Sequence, residues 1–220
     1  MALRLDPVPL RVRPVRRLPQ LVVGLVLYGA SMGLQIRANL GLDPWDVLHQ
    51  GLTRLIGVLS FGTVTQVVGL AVLLCWIPLR QRPGFGTVAN IVLIGFAVDA
   101  TLAVLPALDQ LVSRAGYLVA SIVLNGVASA TYVGARLGPG PRDGLMTGLY
   151  RRTGWSLRLI RTAIEVAVLL VGALLGGTVG IGTVLYAVSI GPLTQFFLRW
   201  SIWKDRPRAT NDITDAADSR

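Results

Sequence analysis

Gly41-Leu42-Asp43-Pro44-Trp45-Asp46 is answered 97 positions further on by Gly138-Pro139-Gly140-Pro141-Arg142-Asp143. The correspondence continues through Gly51-Leu52 with Gly148-Leu149, Arg54 with Arg151 and Gly57 with Gly154. A second block, Gly84-Phe85-Gly86-Thr87-Val88, returns as Gly180-Ile181-Gly182-Thr183-Val184 at an offset of 96, so a single one-residue deletion relates the two copies. Two glycine-anchored blocks in the same order mark a duplication of about 95 residues, and the fold must be built from two copies of one unit.

The sequence around these blocks is apolar. The 220 residues are 53% hydrophobic and 15% charged, with a mean hydropathy of +0.62, whereas a soluble domain carries about 25% charged residues. With a window of about 19 residues, six apolar segments stand out near 20–36, 61–79, 86–105, 117–135, 159–176 and 180–198. Each approaches the roughly 20 residues that a helix needs to cross about 30 Å of hydrocarbon. The expectation is an all-α polytopic membrane protein; a soluble enzyme, a disordered chain and a disulfide-stapled domain are excluded. A lone cysteine, Cys75, and a lone histidine, His49, leave no intramolecular disulfide and no Cys- or His-built zinc site, and no cofactor is expected.

The domain reading follows. Residues 1–19 form a basic N-terminal arm with Arg4, Arg11, Arg13, Arg16 and Arg17; 20–108 and 117–200 are the two membrane repeats; 204–220 is a disordered polar tail. Two further segments are too short and too striped for ordinary spans. In 44–59, Trp45, Leu48, Leu52, Leu55 and Leu59 share one helical face, with Asp46, His49, Gln50, Thr53 and Arg54 on the other. In 141–155, Leu145 and Leu149 oppose Arg142, Asp143, Arg151 and Arg152. Such helices lie in the interface or dip into the bilayer and return.

Charge sets the orientation. If the short helices do not cross, each unit has three crossings and the two units insert upside-down relative to one another. With both termini cytoplasmic, only Arg37, Arg54 and Arg114 of the 21 Lys and Arg then fall outside, as the positive-inside rule requires. Four crossings per unit would place Arg80 and Arg82 outside. The reading is therefore six crossings and two inverted repeats. It also disposes of nucleic acid as a partner of the net +10 charge, because the basic residues sit in short membrane-flanking loops.

In the repeated turn, Pro44 and Pro141 suit a first helical position, where a missing N–H costs nothing. Asp43 or Gly140 then takes the N-cap, and Asp46 or Asp143 lies in the first turn. Two readings of Asp46 and Asp143 stay open: satisfaction of helix-start N–H groups, or carboxylates at bilayer depth offered to a cation, proton or amine. Asp99 and Glu165 lie inside spans, where a charge costs roughly 2.5–3.5 kcal/mol on insertion scales and faces a cavity or a partner. Arg158 and Arg161, the latter one turn before Glu165, are its expected partners; Asp99 has no cation within a turn. His49 stands one turn after Asp46, within reach of a hydrogen bond. The Gly-x-Gly-Thr-Val openings read as close-packing points. Asn90, Gln66, Asn125 and Gln195 read as interhelical hydrogen-bonding groups, and Trp76, Trp200 and Trp203 as headgroup anchors. No nucleophile–base pair, Walker motif, dinucleotide fingerprint or metal-ligand pattern is present, so no enzyme is expected.

The motifs G-L-D-P-W-D-V-L-H-Q-G-L at 41–52, R-P-G-F-G-T-V-A-N at 82–90 and G-P-G-P-R-D-G-L-M-T-G-L at 138–149 resemble those of the YczE/YyaS/YitT family of bacterial integral membrane proteins, the YczE-like branch in particular. The resemblance covers about 18–200 and implies a multi-pass protein of the bacterial inner membrane; it supplies no substrate, cofactor or catalytic residue. The sequence thus points to a secondary transporter or facilitator of a small polar solute in the lipid bilayer. Its candidate site lies between the repeats and comprises Asp46, Asp143, Asp99, Trp45, His49, Arg142 and Glu165. The alternative is a non-transporting accessory or scaffold that docks a cytoplasmic partner on its basic loops.

Overall fold

The computed structural model describes residues 8–9 and 11–202; the tail read at 204–220, Trp203 and most of the first ten residues lie outside the described residues. Among the described residues there are eight helices and no strand: α1 Pro14–Ala38, α2 Pro44–Ile56, α3 Phe61–Leu74, α4 Phe85–Val104, α5 Leu111–Gly134, α6 Pro141–Thr153, α7 Leu157–Leu174 and α8 Ile181–Ser201. The chain is an all-α polytopic membrane protein. Four of the described helices, α1, α4, α5 and α8, are long and apolar enough to cross a membrane, and α2 with α3 makes a fifth if that pair, bent by 114°, is one span. Two expected crossings are therefore shorter or more polar than their apolar segments suggest. α3 stops at Leu74 after 14 residues, and α7 carries Arg158, Arg161 and Glu165 within its 18 residues.

The order of elements repeats, α1–α4 then α5–α8, and so does their packing. α1 lies against α5, and α1·α4, α2·α7 and α2·α3 recur as α5·α8, α6·α3 and α6·α7. α1 and α5 run antiparallel: the Arg17 Nε donates to the Ala135 carbonyl at 2.8 Å, Asn125 Nδ2 to Ser31 Oγ at 2.8 Å, and Arg114 Nε to the Ala38 carbonyl at 2.8 Å. α4 runs parallel to α1, with Gly29 against Ala97 and Gly33 against Thr101, and α8 runs parallel to α5, with Gly126 against Leu193 and Gly134 against Ser201. α4 and α8, the repeat-equivalent pair, therefore point opposite ways.

The Gly-x-Gly-Thr-Val starts hold the two copies together. Gly86 N donates to the Leu137 carbonyl at 2.9 Å, and the equivalent Gly182 N donates to the Leu40 carbonyl at 2.8 Å. Each repeat thus docks the start of its last helix on the loop after the first helix of the other repeat. The glycine following each acceptor has a left-handed backbone, φ 118° at Gly41 and 130° at Gly138. Gly41 also leaves room for Gly180, whose backbone N would lie 2.7 Å from a Cβ there. Conformation and space both demand glycine.

One symmetry is broken. α3 packs closely on α4, with Gly62 against Gly95 and the Gln66 Nε2 on the Val92 carbonyl at 3.0 Å. Their counterparts α7 and α8 do not pack along their lengths.

On α2 the polar Asp46 and His49 are buried and Leu55 is 68% exposed, as lipid around a helix requires, while Trp45 of the apolar face is buried as well. Two expectations need correction. The arm does not extend to 19, because α1 begins at Pro14 and has Arg17 buried at its base. Trp76 is no headgroup anchor. It is 2% exposed, donates Nε1 to the Pro141 carbonyl at 3.0 Å and lays its ring on Gly144, which joins the end of α3 to the start of α6; Trp200, 82% exposed, fits the anchor role.

Candidate functional site

The starts of α2 and α6 meet in the middle of the molecule. Asp43 is the N-cap of α2 as its sequence predicts: its Oδ1 accepts from Trp45 N at 2.8 Å and Asp46 N at 3.0 Å. The proline at the first position of each helix sets the backbone for this turn. Gly140 takes the cap of α6 without a side chain, which leaves Arg142 and Asp143 free to project from the first turn.

Arg142 reaches across to the other repeat. Its Nη1 lies 3.9 Å from Asp43 Oδ1 and its Nη2 3.9 Å from Asp46 Oδ1. The guanidinium stacks over the Trp45 ring, 4.8 Å from the centroid, a geometry that favours a cation on an indole face. Asp46 Oδ1 also contacts His49 Nδ1 at 3.0 Å, and His49 rests its ring edge-on against Phe61 and approaches Thr65 Oγ1 at 3.4 Å. Asp43 and Asp46 are 2% and 0% exposed, and the Oδ2 atom of each is buried without a hydrogen-bond partner among the described residues. An orphaned carboxylate oxygen is costly to bury. Asp46 is therefore not consumed by capping, since the helix-start N–H groups go to Asp43.

Two cavities flank this junction. One, of about 100 Å³, lies toward α3 and α4; the other, of about 300 Å³, lies toward α7 and α8. Tyr28, Trp45, Tyr132, Arg142 and Asp143 line both and form the wall between them. Beyond that wall the linings correspond through the repeat. Thr65, Gly69, Asn90 and Ile94 on the smaller side are matched at an offset of 96 by Arg161, Glu165, Tyr186 and Ile190 on the larger. The two cavities occupy equivalent places in the two units, smaller where α3 packs on α4 and larger where α7 leaves α8.

Of the residues expected from sequence, Asp46, Trp45, His49, Arg142 and Asp143 come together here. Asp143 receives the Tyr132 hydroxyl on Oδ2 at 3.5 Å. Glu165 lines the larger cavity and pairs with Arg161, Nε to Oε1 2.9 Å, as expected. Asp99 stands elsewhere: it accepts from Ser60 Oγ at 2.5 Å and Gly62 N at 2.8 Å, so it serves the start of α3. Sequence reasoning passed over Asp43 as more than a cap, and over Tyr28, Tyr132 and Tyr186. The available signal was position, because tyrosines belong at membrane interfaces and these three lie within long apolar helices. Tyr186 OH donates to Asn125 Oδ1 at 3.1 Å, and Asn125 holds Ser31, so the interhelical role read for Asn125 extends into the cavity wall. Among the described residues, no three His, Cys, Asp or Glu side chains converge into a metal-binding group.

A model of a family of unknown function, DUF6198, matches residues 15–199. The chain belongs to that family. It is 40% identical over 178 residues to an uncharacterised protein of Haemophilus influenzae, with 81% of each chain covered. It is 35% identical over 182 residues to the uncharacterised membrane protein YczE of Bacillus subtilis, covering 81% of this chain and 84% of that one. Similarity extends to YyaS of the same organism, 26% identical over 180 residues, covering 80% of this chain and 89% of the other. The expected resemblance to YczE-like membrane proteins is thereby established. No solved structure matches the chain.

Proposed function

We propose that the protein is a secondary transporter or facilitator of a small polar solute, with its site at the wall where α2 and α6 meet. The two repeats lie upside-down to one another across a bacterial inner membrane, with both termini cytoplasmic. The observation that carries the reading is the pair of repeat-equivalent cavities, one of about 100 Å³ and one of about 300 Å³, sharing a charged and aromatic wall. Two inverted units that pack in two ways give a binding site alternating access to the two faces. The antiparallel α1–α5 and α4–α8 relationships support the inversion, as does charge. Arg37, Arg54 and Arg114, the three arginines assigned outside, bind backbone carbonyls at Leu102, at Gly176 and at Ala38 with Asn39 respectively.

Transport is tested in proteoliposomes that hold the full chain and a panel of radiolabelled small amines, carboxylic acids, sugars and alcohols. The expected result is release of one solute class above protein-free vesicles. Asp46→Asn and Asp143→Asn should slow it about tenfold or more, a loss of ~1.4 kcal/mol or more, with insertion intact. No release by the unmodified protein contradicts transport and favours the scaffold reading, which then requires the arginine-rich segment 136–161 to be essential. Loss of folding in both variants instead assigns the aspartates to structure.

A further inference from the structure

We infer that the larger cavity receives a small organic cation, its ammonium or guanidinium head seated on Asp43 beside the aromatic wall of Trp45, Tyr28 and Tyr132. The inference rests on the transport reading for its biological use, and on four independent features of the cavity for its chemistry.

The first is charge. Four carboxylates, Asp43, Asp46, Asp143 and Glu165, stand at the junction and the larger cavity against two guanidinium groups, Arg142 and Arg161. Both guanidiniums are already engaged, Arg161 with Glu165 at 2.9 Å and Arg142 with two aspartates. An incoming anion would meet carboxylates whose own cations are taken, in surroundings where like charges are expensive. A cation meets the missing counter-charge.

The second is the orphaned oxygen. Asp43 lines the larger cavity, and its buried Oδ2 has no donor among the described residues. Arg142, held over Trp45, comes to 3.9 Å of the capping Oδ1 and gives Oδ2 no hydrogen bond. A diffusible N–H donor that displaces the side chains closing over Oδ2 would supply the missing partner.

The third is the wall. Trp45 already carries one guanidinium on its face, and Tyr28 and Tyr132 meet edge to face at 6.0 Å beside it. Aromatic faces next to carboxylates select soft organic cations over strongly hydrated ones. The fourth is the donor set: without three converging metal-ligating side chains among the described residues, the site does not suit an inorganic divalent ion.

The test is binding to the full chain in detergent micelles, read as thermal midpoint and tryptophan fluorescence. n-Butylammonium chloride, n-butylguanidinium chloride and tetramethylammonium chloride are titrated against sodium butyrate, butan-1-ol and sodium chloride at matched ionic strength. The organic cations should give a saturable rise in midpoint and the controls none. Asp43→Asn retains the Oδ1 that caps α2, yet should bind about thirtyfold more weakly, the usual loss on removing one member of a buried charge pair. Should that variant fail to fold, Glu165→Gln, remote from the cap and on the same cavity, should weaken binding severalfold. Saturation by butyrate or sodium chloride, no saturation by any cation, or unchanged affinity in the variants that fold overturns the assignment. Cation binding without flux in proteoliposomes would defeat the transport reading and leave this one standing; flux of only anions or neutral solutes would do the reverse.

Discussion

Replacing Arg142 with leucine should destabilise the protein by about 3 kcal/mol, and a second substitution, Asp43→Asn, should restore part of that loss. Breaking a buried pair leaves an uncompensated charge and costs about 3–5 kcal/mol; the lower end applies because 26% of the Arg142 side chain is exposed. Asp43 and Asp46 are both within 3.9 Å of it, and among the described residues no other arginine or lysine pairs with either. Removing the guanidinium therefore leaves two adjacent carboxylates repelling one another in an apolar setting. Neutralising Asp43 relieves the repulsion while keeping the oxygen that caps α2. Midpoints of the two single variants and the double, in one detergent, give the coupling directly. Strict additivity would mean that the two repeats are not joined electrostatically at this point.

Arg17→Leu should cost about 3–5 kcal/mol, while Arg16→Leu one position earlier should stay within about 0.5 kcal/mol. Arg17 is 2% exposed and gives all three of its nitrogens to backbone carbonyls: Nε to Ala135, Nη1 to Pro9 and Val12, Nη2 to Val8 and Arg136. It closes the C-terminal end of α5, whose last carbonyls have no helical partner, and ties that end to the start of α1. Its loss strands several buried acceptors together. Lysine should not rescue it, because one ammonium cannot span a fork of five acceptors. Thermal unfolding of the three variants checks this; a stable Arg17→Leu protein would return Arg17 to the role of a topogenic surface charge.

That residue shows where sequence reading stops. Arg17 stands among the arginines of an N-terminal arm, and composition assigns them one common role, membrane orientation. Only a three-dimensional partner such as the end of α5, more than a hundred positions away, separates it from Arg16. The repeat, by contrast, is written in glycines and prolines whose backbone demands are local, so the capped start of α2 and the equivalence of Gly41 with Gly138 were legible. The stripe of α2 was legible as well, and burial follows its polar half: Asp46 and His49 sit within the protein and Leu55 faces out, as an apolar phase around the molecule requires. Trp76 was hidden by the general preference of indoles for headgroups, which says nothing of a glycine such as Gly144 waiting in the other repeat. Arg142 was legible as a polar-face residue of the second short helix at the position aligned with Trp45, but its reach to Asp43 needed the two helix starts to be brought face to face.

The proposed opposed insertion of the two repeats is the premise of the transport reading. Phe85 and Ile181 are repeat-equivalent, 53% and 65% exposed, and sit at the first positions of α4 and α8. Single cysteines placed at each, in a Cys75→Ala background, are labelled with a membrane-impermeant maleimide in right-side-out and inside-out vesicles. Phe85→Cys should label only in inside-out vesicles and Ile181→Cys only in right-side-out ones. Labelling of both from the same face would mean that the copies insert in parallel, and the account would not survive it.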